Sequence, residues 1–106
     1  MTTTDTDTFG LSERDLQTLR TIFAAYPDVE EVCIFGSRAK GNYHKGSDVD
    51  LAVMNEGVSV KNIRAITALL SDSSLPYRVD LVNFSALTYP DFVEHIKRVG
   101  KLIYKK

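Results

Sequence analysis

The chain of 106 residues has no tryptophan, a single cysteine, three prolines and six glycines. One cysteine excludes an intrachain disulfide, and within the apolar run Val32-Cys33-Ile34-Phe35 it reads as a small core residue. So few prolines and glycines exclude collagen-like and low-complexity architectures. No apolar run exceeds five residues, too short to span a bilayer, and the opening Met1-Thr2-Thr3-Thr4-Asp5 lacks the basic and apolar stretches of a targeting segment. A cytoplasmic location without membrane contact is therefore expected. Without a secretory signal, the sequon Asn83-Phe84-Ser85 reads as chance. A large excess of either charge is also missing: the formal net charge is −1, which argues against a surface built to coat nucleic acid or anionic lipid. The charge is nevertheless uneven, because the segment from His95 to Lys106 holds Lys97, Arg98, Lys101, Lys105 and Lys106 and no acid. Such a tail reads first as a solvated helix face and chain end.

What is present, 43% hydrophobic and 25% charged residues, fits one globular domain of α+β type. Residues 1–11 are expected to be a flexible N-terminus and residues 12–106 a single domain. A chain of this size has few side chains to spare beyond its core, so a bulky substrate has to be held partly by something else. Ser12 is placed to cap a helix over about 13–26, with Asp15 three residues on and Leu11 and Leu16 as a hydrophobic staple. A buried strand is expected over about 30–35, followed by a glycine turn and a short helical piece over Arg38, Ala39 and Lys40. After a polar loop from Asn42 to Ser47, residues 48–54 alternate. Val49, Leu51 and Val53 face one way; Asp48, Asp50 and Ala52 face the other. Ser59 opens a second helix with Val60, Ile63, Ile66 and Leu70 as its stripe. A third strand runs from Tyr77 to Phe84, with Arg78, Asp80 and Val82 on one side. Thr88 and Asp91 open a last helix that Gly100 ends, and Leu102-Ile103-Tyr104 add a short closing strand.

The informative block is Gly36-Ser37-Arg38-Ala39-Lys40-Gly41 followed by Ser47-Asp48-Val49-Asp50-Leu51. A glycine at a strand-to-helix junction admits a ligand close to backbone, and the amides that follow are unpaired donors at the positive end of a helix. In chemical terms this is a phosphate cradle, the plain alternative being a tight turn, and Arg38 and Lys40 either neutralise phosphate charge or face solvent from the short helix. The Walker A reading fails because Asn42-Tyr43 stand where lysine and serine or threonine are required. Carboxylates at i and i+2 on one strand face lie roughly 7 Å apart, and their repulsion costs about 2 kcal/mol at an effective dielectric near 20. A divalent cation reverses that sign, and oxygen ligands without His or Cys favour Mg²⁺ or Mn²⁺ over Zn²⁺. Asp80 brings a third carboxylate from another strand. Three acids beside a phosphate turn describe a two-metal transfer site, with Asp48 and Asp50 bridging both ions and Asp80 on the nucleophile side. Arg78, on the strand face of Asp80, reads as an ion-pair partner that orients it. His44 and His95 read as surface residues, and Tyr43, Tyr89 and Tyr104 as either interface or core.

At these residues the chain resembles the nucleotidyltransferases of the DNA polymerase beta superfamily. The shared features are Gly36-Ser37, the closing Gly41, Asp48-x-Asp50 twelve residues after the first glycine, and Asp80 within Val79-Asp80-Leu81-Val82. More narrowly it resembles the minimal nucleotidyltransferases of HEPN/MNT antitoxin type, which consist of the catalytic domain alone. The resemblance implies a mixed β-sheet flanked by helices, a glycine-serine turn on the β- and γ-phosphates of ATP, and two Mg²⁺ ions on the three aspartates. It also implies an all-helical HEPN partner and transfer of AMP to a tyrosine hydroxyl of that partner, with self-association left open. The alternative, from another class, is a non-catalytic nucleotide-binding antitoxin that neutralises its partner by covering it. A sugar transferase using Asp48-x-Asp50 is disfavoured because it needs a much larger nucleotide-sugar domain.

Overall fold

The computed structural model describes residues 9–44 and 46–106. Residues 1–8, most of the expected flexible terminus, and Lys45 of the loop lie outside the described residues. Within them the element order is α1 (Glu13–Ala24), β1 (Glu31–Phe35), α2 (Ser37–Lys40), β2 (Val49–Val53), α3 (Val60–Asp72), β3 (Val79–Asn83), a 3-10 turn (Phe84–Ala86), α4 (Pro90–Val99) and β4 (Lys101–Lys105). The folded part begins before residue 12. Leu11 is fully buried and Phe9 packs against the same core, because the staple that precedes the Ser12 cap needs an apolar partner.

That cap is a complete capping box. The Ser12 hydroxyl accepts from the Asp15 N–H at 3.1 Å, and the Asp15 carboxylate accepts from the Ser12 N–H at 3.3 Å. Ser59 caps α3 with a single bond, accepting from the Asn62 N–H at 3.0 Å. The last helix starts differently from expectation. Tyr89 is its N-cap, with no side-chain bond, and Pro90 opens the first turn with its fixed φ and no N–H to satisfy. Val60 leaves the expected α3 stripe and is 65% exposed; at 3.6 residues per turn it lies about 120° from Ile66.

The strands form one mixed sheet in the order β3-β2-β1-β4. Strand β1 pairs antiparallel with both β2 and β4, while β2 and β3 are parallel and joined through α3. Alternation along the strands divides the core in two. Val32, Ile34, Val49, Leu51, Val53 and Val79 face α1 and α3, where Leu16, Leu19, Phe23, Ile66 and Leu70 complete the larger cluster. Phe35, Ala52 and Ile96 form a smaller cluster on the opposite face, with Val82, Phe84, Phe92 and Val99 packed around them beneath α4. Cys33 is buried, and that burial, helped by the charge of Glu31, pushes its thiol pKa up, as suits an inert core residue.

The basic tail is largely accounted for by the fold. Lys105 lies across from Glu31 in the β1–β4 pairing, and Lys106 donates from its backbone to Glu30 O and from Nζ to Pro27 O. Lys97 and Arg98 occupy the last turn of α4, where cations favour the helix dipole. No helix among the described residues is long and apolar enough to cross a membrane.

Candidate active site

Three strands end around one point on the face beneath α4. In the parallel pairing of β2 with β3, Asp50 stands directly beside Asp80. Alternation within each strand gives both the same facing, so their Cβ atoms project together from strands roughly 5 Å apart. Asp50 also lies opposite Phe35 in the β1–β2 register, which brings it under the turn that follows β1. There Gly36 adopts φ 77 and ψ −154, a conformation open essentially to glycine alone. A Cβ on Gly36 would lie 2.5 Å from Asp50 Oδ2, so the absence of a side chain is what admits the carboxylate to the turn.

The electrostatics follow from this crowding. Partial burial, and after it the charges of Asp80 and Asp48, raise the Asp50 carboxyl pKa above the ordinary range. Asp80 is half exposed, and its Oδ1 stands 3.8 Å from Arg78 Nε, the ion pair read from the shared strand face. At that exposure the pair steers the carboxylate more than it stabilises the fold. Asp48 precedes β2 and is exposed.

The sequence-derived donors suit a hard divalent cation chemically. They are carboxylates only, two of them preformed side by side, and the repulsion felt by Asp50 is what a bound cation relieves. Among the described residues, however, no three acidic, histidine or cysteine side chains are gathered closely enough to enclose an ion as they stand.

A cleft of about 590 Å³ opens over the pair. Gly36, Asp50 and Asp80 line its polar side; Phe35, Val82, Phe92 and His95 line much of the rest. His95 is thus more than the surface residue expected from sequence. It sits three positions after Phe92, on the same face of α4, and its ring stands edge-on to Phe35 with centroids 6.4 Å apart. That spacing is the signal by which it was discoverable. Thr67 of α3 also reaches the cleft, without any local cue in the sequence.

Arg38 departs from its expected role. It is 2% exposed, and its Nε and Nη2 donate to Ser47 O at 3.2 and 2.8 Å while Nη1 donates to Phe9 O at 2.9 Å. The rings of Tyr43 and Tyr77 flank the guanidinium, with centroids 5.1 and 4.5 Å from its Cζ. A guanidinium so committed to protein carbonyls is not presented to a phosphate. Lys40, at the end of α2, remains exposed, and Ser37 begins that helix beside Gly36. The three tyrosines separate: Tyr43 packs on Arg38, Tyr104 meets Phe23 with ring centroids 5.7 Å apart, and Tyr89 is 75% exposed.

The polymerase beta nucleotidyltransferase family model matches residues 17–106. The chain belongs to that family. This nucleotidyltransferase is 36% identical over 97 residues to "Probable protein adenylyltransferase MntA" of Haemophilus influenzae, covering 91% of this chain and 84% of the relative. Its fold matches a toxin–antitoxin crystal structure with AMP-PNP at a TM-score of 0.71, with 20% identity over 87% of this chain and 74% of the other. A second solved chain, "Structure of putative minimal nucleotidyltransferase", matches at a TM-score of 0.51, with 30% identity over 85% of this chain and 97% of its own. The nucleotidyltransferase fold expected from the motifs is therefore the one found: a four-stranded mixed sheet flanked by helices.

Proposed function

We propose that this nucleotidyltransferase moves AMP from ATP to a hydroxyl of a protein partner, and that the acceptor is a tyrosine of an all-helical, HEPN-type toxin to which the chain is the antitoxin. The observation that carries the reading is the register pair of Asp50 and Asp80 directly beneath the glycine turn. The 36% identity to an MntA adenylyltransferase supports the choice of donor and reaction. The toxin–antitoxin fold match is consistent with the choice of partner.

In this reading the amides after Gly36, with Ser37 and Lys40, bind the β- and γ-phosphates. Asp48, Asp50 and Asp80 would hold two Mg²⁺ ions, for which Mn²⁺ can substitute. Bound at these carboxylates, the ions neutralise triphosphate charge and lower the pKa of the attacking hydroxyl. The acceptor oxygen forms its bond to the α-phosphorus as the bond from that phosphorus to the bridging oxygen breaks, and pyrophosphate leaves. Asp80, the more exposed member of the central pair, receives the hydroxyl proton, and Arg78 holds it in line. Phe35, Phe92 and Val82 give the cleft an apolar wall that keeps water from one side of the reaction and accepts a flat ring. In this reading the chain acts in the cytoplasm beside its partner.

The test is to incubate the purified chain with labelled ATP, Mg²⁺ and the co-expressed partner. Label on the partner, a mass increment of one or more AMP units, and loss of both with Asp48→Ala are expected. An unlabelled partner that is still neutralised, or labelling that survives Asp48→Ala, refutes the reading.

A further inference from the structure

We propose that Arg38 is a positioning residue: it sets the divalent-cation affinity of the carboxylate site by fixing the backbone that carries Asp48. This rests on the nucleotidyl-transfer reading given above. Asp48 belongs to no regular element, and Gly46 precedes it by two residues, so its place depends on what holds its neighbours. Both neighbours are held. On one side the Val49 N–H donates to Arg78 O at 2.8 Å, the start of the β2–β3 ladder. On the other side two N–H groups of Arg38 converge on the Ser47 carbonyl. Ser47 is fixed further by His44, whose carbonyl accepts from the Ser47 N–H at 3.0 Å and whose N–H donates to Ser47 Oγ at 2.8 Å.

The same guanidinium sits two residues after Gly36, so one side chain couples the turn that meets Asp50 to the segment that presents Asp48. Its contact with Phe9 O ties both to the segment that leads into α1. Tyr77 closes this arrangement. Its ring lies against Arg38, and its hydroxyl donates to Asp15 Oδ2 at 2.9 Å. Burying a charged group here carries a desolvation penalty that an apolar residue of similar volume would avoid, so packing alone does not explain an arginine. Lysine cannot reproduce the contact either, because a point charge lacks the planar fork that meets Ser47 O and Phe9 O at once.

The experiment uses Mn²⁺ as probe, titrated into the full chain with AMP-PNP and followed by electron paramagnetic resonance, with thermal unfolding recorded for each protein. Arg38→Lys is expected to weaken Mn²⁺ binding at least about tenfold, the usual scale for losing a partner that orients a metal ligand. Asp48→Asn weakens it as well, and the double variant binds no more weakly than Asp48→Asn alone, since both act through one ligand. Unchanged affinity in Arg38→Lys, or losses that simply add in the double variant, overturns the proposal while leaving the carboxylate site intact. If the unaltered chain does not bind Mn²⁺, or Asp48→Asn binds it normally, the carboxylate reading fails and takes this proposal with it. Should Arg38→Lys not fold, Tyr43→Leu removes one flanking ring and leaves the fork. A loss of affinity that disappears in the Asp48→Asn background supports the proposal, and a loss that persists there overturns it.

Discussion

Replacing Gly36 by alanine tests the centre of the site with one methyl group. The backbone at φ 77 and ψ −154 lies where residues with a Cβ are strained, at a cost of about 1–3 kcal/mol. For a domain near this size each kcal/mol lowers Tm by about 4–8 °C, so a fall between roughly 4 and 24 °C is expected. The second effect is local. A methyl 2.5 Å from Asp50 Oδ2 violates the roughly 3.5 Å of ordinary contact, so the carboxylate has to retreat by about 1 Å. Misplacement on that scale costs a reaction about 100-fold. Single-turnover transfer of AMP to the partner, measured well below the Tm of either protein, separates the two effects. A variant that is destabilised as expected yet transfers at the normal rate would show that the meeting of Gly36 and Asp50 has nothing to do with the chemistry.

Other substitutions read different parts of the molecule. Asp80→Ala is expected to lower turnover about 10²–10⁴-fold, the range for a lost general base, while ATP binding measured by calorimetry changes far less; equal losses in both would remove Asp80 from the proton-accepting role. Asp50→Asn should raise Tm in metal-free buffer at neutral pH. Its carboxyl pKa is higher in the folded state than in the unfolded chain, so ionisation opposes folding in full above the folded pKa. That penalty vanishes as pH falls below the unfolded value of about 4, and the advantage of Asp50→Asn should vanish with it. A Tm difference independent of pH would contradict the crowding of Asp50 by burial and by Asp80 and Asp48. Phe23→Ala, at a fully buried position against Tyr104, should cost about 3–5 kcal/mol in urea unfolding without altering transfer at low temperature.

The sequence made local features readable because they depend on spacing alone. Ser12 with Asp15, Ser59 before α3, and the alternation of Val49, Leu51 and Val53 against Asp50 all emerge as expected. Alternation also gives the facing of Asp50 and of Asp80 within their own strands. It does not say that β2 and β3 are neighbours, that they run parallel, or that the two aspartates share a register; those are properties of the α3 crossover. Arg38 was misread for a related reason. Between a glycine turn and a lysine it resembles a phosphate ligand, and its real acceptors on Ser47 and Phe9 lie 9 and 29 residues away along the chain. His95 was different, since its helical phase with Phe92 already placed it on the α4 face that turns toward the sheet.

The two faces of the sheet bury unequal amounts of apolar surface, and this explains how so small a chain tolerates Asp50 and Asp80 side by side. The face covered by α1 and α3 holds the larger apolar cluster, including the fully buried Phe23, Ile34, Leu51 and Ile66. The cluster on the α4 face has three buried members among the described residues, Phe35, Ala52 and Ile96, and Asp50 and Asp80 line the cleft beside it. Repulsion there acts on Asp50 at the edge of solvent, outside the cluster on which folding mainly depends. The same asymmetry leaves a cleft open on this face, and Tyr89, the most exposed large apolar side chain among the described residues, is the N-cap of the helix that carries Phe92 and His95. The proposed transfer to an acceptor on another protein needs such an opening. Closing it with a larger core on the α4 face would add stability and, in the proposed reaction, remove the place where donor and acceptor meet.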